Sequence, residues 1–433
     1  MSKKYILTIL FVISFIFVPH TYATNQTILG LHVGNLNTGT TTQIDDTIAK
    51  LKEMSVRSVR LIYQHPSNLN TTTYAVEQLN KNDIDVIITI LPDASDYQDI
   101  STAYSDYPNG STDFEQLCGS PGWRWMYKYS TVNQSLYATR LTNLLTALAN
   151  KQSKVVAYEI GNESDWACFN GDIPVKATLN PDTPYDLSDT SFLSPAVRGY
   201  GTTLKTSYTT IKSISPDSLV LTFGAANTYL YDAKKPHINY PNFLQWLTNI
   251  DGVNYLTKYS DATAMHFYPQ VITTTEIANT IGPAFTNVAQ YRNKFWITEF
   301  GFGKTLPQYL ANPATIEQSR LSSYHRFMDA INSLNQVVVE RAYLYSYEPG
   351  IWSIMQNTNT PLLSAQIFKE YQPVVTPSPI ASTIPSPSAT EYPSGDLTHD
   401  GLVNIYDFNL LISKFGDPYT IYDFNNIVSN FGH

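Results

Sequence analysis

Charge is scarce in this chain: 15% of its 433 residues are Asp, Glu, Lys or Arg, against 43% that are hydrophobic. A composition this apolar can bury a sizeable core, which excludes disorder along the whole length. The charges are also unbalanced, 27 Lys and Arg against 36 Asp and Glu, for a net charge of −9. No basic stripe stands out, which argues against nucleic acid as a partner. Long apolar runs are missing too. Beyond the N-terminus none reaches the roughly 18 residues that a membrane span requires, so the mature chain is expected to have no such span. Cysteine is nearly absent, with Cys118 and Cys168 as the whole supply. Two cysteines leave either one disulfide or two separate thiols; a bridge closing that loop would contribute about 4 kcal/mol on the chain-entropy model. Aromatic residues, by contrast, are plentiful: 31 are Tyr, and flat ring faces suit ligands such as sugars.

The two ends of the chain depart from this globular composition. Lys3 and Lys4 precede the almost wholly apolar run Tyr5–Val18, and Thr21-Tyr22-Ala23 offers small residues for cleavage. That arrangement reads as a secretory signal over 1–23, too short to span a bilayer as a helix. A secreted, extracellular protein is expected, and an oxidising exterior permits the disulfide. Residues 373–394 hold six Pro and eight Ser or Thr, the composition of a semi-rigid extended linker. The linker parts a body over 24–372 from a small tail over 395–433.

The tail begins with an oxygen-rich loop. Asp396, Thr398, Asp400, Asn404 and Asp407 fall at positions 1, 3, 5, 9 and 12, with Gly401 at position 6. Alternating oxygen side chains around a glycine turn, with the Leu402 carbonyl at position 7, match what Ca2+ demands. The helix that follows recurs: Ile405-Tyr406-Asp407-Phe408-Asn409 is repeated at Ile421-Tyr422-Asp423-Phe424-Asn425, an offset of 16. Tandem loop–helix units of this kind resemble a type I dockerin, which implies a cohesin-like or cell-surface partner. The second copy opens Asp417-Pro418-Tyr419-Thr420 and lacks the Asp-x-Asp-Gly core. One structural calcium ion is therefore expected, not two.

Between the ends, short β-rich runs alternate with amphipathic helical patterns. Strands are expected at Thr27–Val33, Ser58–Tyr63, Asp85–Leu91, Lys154–Ile160, Leu219–Phe223, Ala262–Tyr268, Lys294–Thr298 and Glu340–Tyr345. Helical patterns include Gln43–Met54, Gln134–Asn150, Gly199–Ile214 and Ile316–Leu334. Eight such units predict an α/β fold of the (β/α)8 TIM-barrel type. An open doubly wound sheet is the alternative, but no Gly-rich phosphate turn follows the first strand.

In a (β/α)8 barrel the chemistry sits where strands end. The fourth strand ends Tyr158-Glu159-Ile160-Gly161-Asn162-Glu163 and the seventh ends Trp296-Ile297-Thr298-Glu299. Each delivers a Glu to one rim, the paired carboxylates that glycoside hydrolysis uses. On these motifs the body resembles clan A of the glycoside hydrolases, retaining β-glycosidases with glutamates on strands 4 and 7. The resemblance implies Glu163 as acid/base, Glu299 as nucleophile and Asn162 as partner of the sugar 2-hydroxyl. It further implies Arg60 beside the nucleophile, His266 and Tyr268 at the rim, and Trp352 as aromatic floor, a place that Tyr345 or Tyr347 could also fill. Trp123, Trp125 and Trp166 are further candidates for stacking sugars. The implied activity is hydrolysis of O-glycosyl bonds in a carbohydrate substrate, without a cofactor for catalysis. Two other classes compete: a non-catalytic sugar-binding barrel, since fold does not fix function, and a calcium-dependent assembly component.

Overall fold

A computed structural model describes residues 26–103, 127–173, 190–226, 237–269, 274–306, 310, 311, 313–335 and 337–371. In the tail it describes 397, 403, 405–413, 424, 427 and 428. The signal segment, Cys118, Trp123, Trp125 and the linker lie outside the described residues. The chain divides into two compact units, Met1–Val374 and Val375–His433.

The first unit is built on eight strands: β1 (Ile28–His32), β2 (Ser58–Tyr63), β3 (Asp85–Ile90), β4 (Ala157–Ile160), β5 (Leu219–Leu221), β6 (Thr263–Phe267), β7 (Lys294–Phe300) and β8 (Val338–Leu344). All pairings are parallel, in the order β5-β4-β3-β2-β1-β8-β7-β6. The two end strands meet through the bridges Leu221↔Ala262 and Ala225↔Met265, which closes the sheet into the (β/α)8 barrel. Helices fill the crossovers, among them Thr41–Glu53, Leu69–Lys81, Gln134–Asn150, Thr190–Ile214, Thr274–Ala289 and Ile316–Asn332.

Local chemistry explains where these elements begin and stop. Helix Thr41–Glu53 starts at a capping box: Gln43 N donates to Thr40 Oγ1 while Thr40 N donates to Gln43 Oε1, each satisfying an otherwise orphaned amide. Its Ile44, Ile48 and Leu51 recur at helical spacing and are buried. β5 is shorter than the sequence predicts. Past Leu221, the Phe223 amide donates to the Tyr200 hydroxyl, and Thr222 Oγ1 accepts from Ala264 N. Side-chain oxygens thus replace strand partners there, and the regular ladder ends.

Alternation along the strands sorts the interior. Ile87, Ala157, Leu221, Ala262, Ala264, Trp296 and Tyr343 form one buried cluster, separate from the larger core that includes Leu61, Tyr158, Ile160 and Phe267. Successive strand residues face opposite ways, so residues two places beyond that inner cluster face the same interior at the strand ends. In the second unit, helix Ile405–Ser413 is described, and Val403, Leu411 and Ile427 form a buried cluster against Leu397, Phe408 and Phe424.

Candidate active site

The inward positions at the C-terminal ends of the strands are polar and buried. Arg60 on β2 is fully buried and its guanidinium organises the rest. Nη1 donates to Glu299 Oε1 at 2.5 Å and to His32 Nδ1 at 2.8 Å; Nη2 donates to Asn162 Oδ1 at 2.7 Å. Nε donates to Glu159 Oε2 at 2.8 Å, and Nη2 lies 2.7 Å from the same oxygen. Since arginine only donates, His32 Nδ1 must accept, which leaves the proton of that ring on Nε2. Burial and the adjacent Arg60 charge push His32 down to about 3, so it stays neutral.

Glu299 reaches the cluster because β7 is irregular. Its register against β8 shifts between Ile297 and Phe300. Consecutive strand residues normally face opposite ways, and a bulge turns one of them. Here both inward contacts form: Thr298 Oγ1 donates to Glu159 Oε1 at 2.6 Å while Glu299 takes Arg60. The second oxygen of Glu299 accepts from the Tyr268 hydroxyl.

Glu163 is carried by a tight turn. Gly161 has φ +85°, and a Cβ there would sit 2.6 Å from Ser164 Oγ and 2.7 Å from Tyr129 OH. Glu163 itself has φ 43°, a left-handed conformation that costs a side-chain-bearing residue about 1–2 kcal/mol. The turn is held by Glu163 N donating to the Gly224 carbonyl at 2.9 Å, and by Ala226 N donating to Asp165 Oδ1 at 3.0 Å. His266 Nδ1 lies 2.9 Å from Glu163 Oε1 and 3.5 Å from Glu299 Oε2. Gly224 leaves room for that imidazole, since a Cβ at this position would be 2.1 Å from Nε2. One oxygen of each glutamate and a ring nitrogen of His266 lie within 4.8 Å of one another.

The environments push the two carboxyls apart. Burial raises Glu163, with the Glu299 charge adding to it and His266 opposing. Burial would raise Glu299 as well, but the charges of His266 and Arg60, with the Tyr268 hydrogen bond, outweigh it and hold Glu299 below the usual carboxylate range. Burial likewise opposes protonation of His266, and the neighbouring Glu299 and Glu163 overcome it.

Aromatic rings line the same region. Tyr268 packs against Trp352 at 5.0 Å and against Tyr345 at 5.9 Å between ring centroids, and Tyr345 lies 5.0 Å from His32. Both Trp352 and Tyr345 therefore stand beside the residues around Glu299. Tyr347 does not: its hydroxyl donates to the Thr358 carbonyl. Trp166 packs on Phe169, and its backbone bridges to His237. Cys168 is disulfide-bonded.

The structure thus brings Arg60, Asn162, Glu163, His266, Tyr268 and Glu299 into one cluster. Sequence reasoning gave no role to His32, Thr89, Glu159 or Thr298. Strand parity carried a signal for three of them: Glu159, Thr89 and Thr298 follow inward Ala157, Ile87 and Trp296 by two places.

Comparisons with known proteins place the fold. The sequence matches no family model and no curated protein sequence. Among solved structures, a β-1,4-galactanase from a study of two fungal enzymes aligns with TM-score 0.51 and 14% identity, over 80% of this chain and 100% of its own. Endo-glycoceramidase II from Rhodococcus sp. aligns with TM-score 0.50 and 13% identity, over 79% of this chain and 78% of its own. The likeness is one of fold.

Of the residues the tail's loop would offer a cation, Asp407 is described, fully buried in helix Ile405–Ser413. Asp396, Thr398, Asp400, Leu402 and Asn404 lie outside the described residues. The donor set is all oxygen and rich in carboxylate, which fits the chemistry of Ca2+.

Proposed function

We propose that the first unit is a retaining β-glycoside hydrolase, exported by its N-terminal signal, that acts on oligo- or polysaccharides by double displacement. The observation carrying this reading is the pair Glu163 and Glu299: close together, buried, and biased toward opposite protonation states. Retention uses carboxyl groups about 5–5.5 Å apart, whereas inversion needs about 6.5–9.5 Å to admit a water. Oxygens within 4.8 Å favour the shorter class.

Glu163, pushed toward its protonated form by burial, gives its proton to the glycosidic oxygen as the bond from that oxygen to the anomeric carbon breaks. Ionised Glu299 forms the new bond to that carbon. Water then attacks the same carbon, passes a proton to Glu163, and releases Glu299 as carboxylate. Asn162, fixed by Arg60, is placed to meet the 2-hydroxyl; Tyr268, Tyr345 and Trp352 offer ring faces to the sugar. The galactanase and glycoceramidase names point to glycosidic substrates for those proteins, which agrees with this class without choosing a sugar.

The tail would hold one calcium ion through Asp396, Thr398, Asp400, the Leu402 carbonyl, Asn404 and Asp407. Binding such an ion supplies folding free energy to a module with a small core. Any cohesin-like or cell-surface partner would dock through this module.

The deciding experiment screens aryl β-glycosides and polysaccharides with the wild type and Glu299→Ala. The variant should fold yet lose turnover, and azide should restore it as a glycosyl azide of inverted configuration. Turnover by the variant near the wild-type rate would refute the nucleophile, and an inert wild type would refute the enzyme.

A further inference from the structure

We propose that Glu159 is the positioning residue that aims Arg60 at Glu299 and keeps that arginine charge-compensated through both halves of the reaction. The inference rests on the glycosidase reading above, but its own geometry stands apart from it.

Arg60 spends its donors unequally. Two nitrogens, Nε and Nη2, lie 2.8 and 2.7 Å from one oxygen of Glu159, while Glu299 receives Nη1 alone. Glu159 therefore fixes one edge of the guanidinium plane, and the fork geometry then dictates where Nη1 points. Glu159 is itself locked from both sides. Thr89 Oγ1 on β3 donates to Oε2 at 2.5 Å, and Thr298 Oγ1 on β7 donates to Oε1 at 2.6 Å. Its side chain is wholly buried. A buried ion pair is an inefficient source of stability compared with apolar packing, so a carboxylate at this depth calls for another purpose.

The chemistry supplies one. When Glu299 bonds the anomeric carbon it becomes a neutral ester, and the negative charge passes to Glu163, which has given its proton to the departing oxygen. Arg60 then faces an uncharged group at zero exposure. With Glu159 in place the cation keeps its partner and its position, so Glu299 can leave as carboxylate in the second step without rearrangement. Without Glu159, Arg60 would act on Glu299 alone and hold its carboxylate too tightly to attack.

The charged and titratable groups near Glu159 are Arg60 from β2, and His266 from β6 with Nε2 at 3.9 Å from Oε1. Beyond the arginine are Glu163, Glu299 and neutral His32, and the phenols of Tyr200 and Tyr240, bonded to the carbonyls of Ile160 on β4 and Ala264 on β6, interact with it more weakly. Glu159→Gln keeps the size and removes one negative charge from this group. Loss of a neighbouring anion favours ionisation of the remaining carboxyls.

The test compares full-length wild type and Glu159→Gln on an aryl β-glycoside across pH, with crystal structures of both. The expected result is a kcat at least about tenfold lower, KM within about twofold, and the pH–rate bell moved to lower pH. The guanidinium of the variant should lose a contact to Glu299 or Asn162. An unmoved Arg60 with an unshifted bell would overturn the proposal, even if the melting temperature fell. Should Glu159→Gln fail to fold, Glu159→Asp serves: the charge remains, the reach shortens, and kcat should fall while the bell stays in place. Wild-type kcat with Arg60 unmoved in Glu159→Asp would also overturn it. A wild type inert on every glycoside would sink the enzymatic reading, and the position of Arg60 in the variant crystals would still decide the positioning claim.

Discussion

The Tyr268 hydroxyl donates a hydrogen bond to Glu299 Oε2 while Arg60 holds Oε1, so the phenol and the guanidinium can be separated by mutation. Tyr268→Phe removes one donor from an ionised carboxylate and leaves the arginine in place. The Glu299 pKa should rise, because a hydrogen bond to the charged form is lost. The proposed mechanism needs Glu299 ionised, so the acidic limb of kcat/KM should move to higher pH, with a loss of about tenfold to a hundredfold at the optimum. A pH–rate profile checks both, and an unmoved acidic limb would deny Tyr268 this part. At this scale the sequence was readable where a residue ended a strand: Glu163 and Glu299 stood out as acids after apolar runs. Glu159 did not, because it sits inside the strand Ala157–Ile160 and its meaning lies in contacts to residues 99 and 139 positions away. His32 has no motif at all; it acquires a role only once Arg60 arrives from the neighbouring strand.

Two irregular elements place Glu163 and the imidazole beside it, and each can be probed. Asp165 is buried beside the turn of Glu163, and burial with the Glu163 charge pushes it up to about 7. A carboxyl whose folded value lies above its unfolded value costs stability as pH rises through the window between them. That penalty is complete above about pH 7. Asp165→Asn keeps an acceptor for the Ala226 amide and removes this titration. Its stability relative to wild type should therefore improve from pH 4 to pH 8, by a few kcal/mol at most, as followed by thermal unfolding at each pH. A constant difference across that range would mean that Asp165 does not titrate there. Gly224→Ala drives a methyl into His266 Nε2 at 2.1 Å. Overpacking of this kind costs about 1–3 kcal/mol, and displacement of the ring should lower activity more than the melting temperature suggests. The strand pattern was legible from alternation and apolar runs; Ser58–Tyr63 and Gln134–Asn150 have the bounds the sequence predicts. The β7 bulge was not, since nothing in Trp296-Ile297-Thr298-Glu299 marks an extra residue until β8 is laid beside it.

For the whole molecule, the Pro- and Ser/Thr-rich composition of 373–394 sets the chemistry proposed for the body apart from the attachment proposed for the tail. A chain ended at Gln372 should hydrolyse soluble substrate within about twofold of the full-length rate, because a segment of this composition is expected to carry few contacts. Calorimetry should find one calcium ion bound by the full chain and none by the shortened one. Two ions would give the second repeat a site, and none would reduce the first loop to a polar turn. The barrel, meanwhile, does not close evenly. β1 to β5 are paired by regular ladders and β6 to β8 by longer ladders with local register shifts, while among the described residues β5 and β6 meet through two isolated bridges and the Thr222 hydroxyl. That junction is a seam, and seams breathe. Amide protons that cross it, such as Thr222 N to the Ala262 carbonyl and His266 N to the Ala225 carbonyl, should exchange with deuterium sooner than those between β2 and β3. The Glu163 amide hangs from the Gly224 carbonyl on one lip of the seam, and the ring of His266 comes from the other. Each opening would therefore draw Glu163 away from the imidazole of His266, so the exchange rate along this one junction reports how often that pair comes apart.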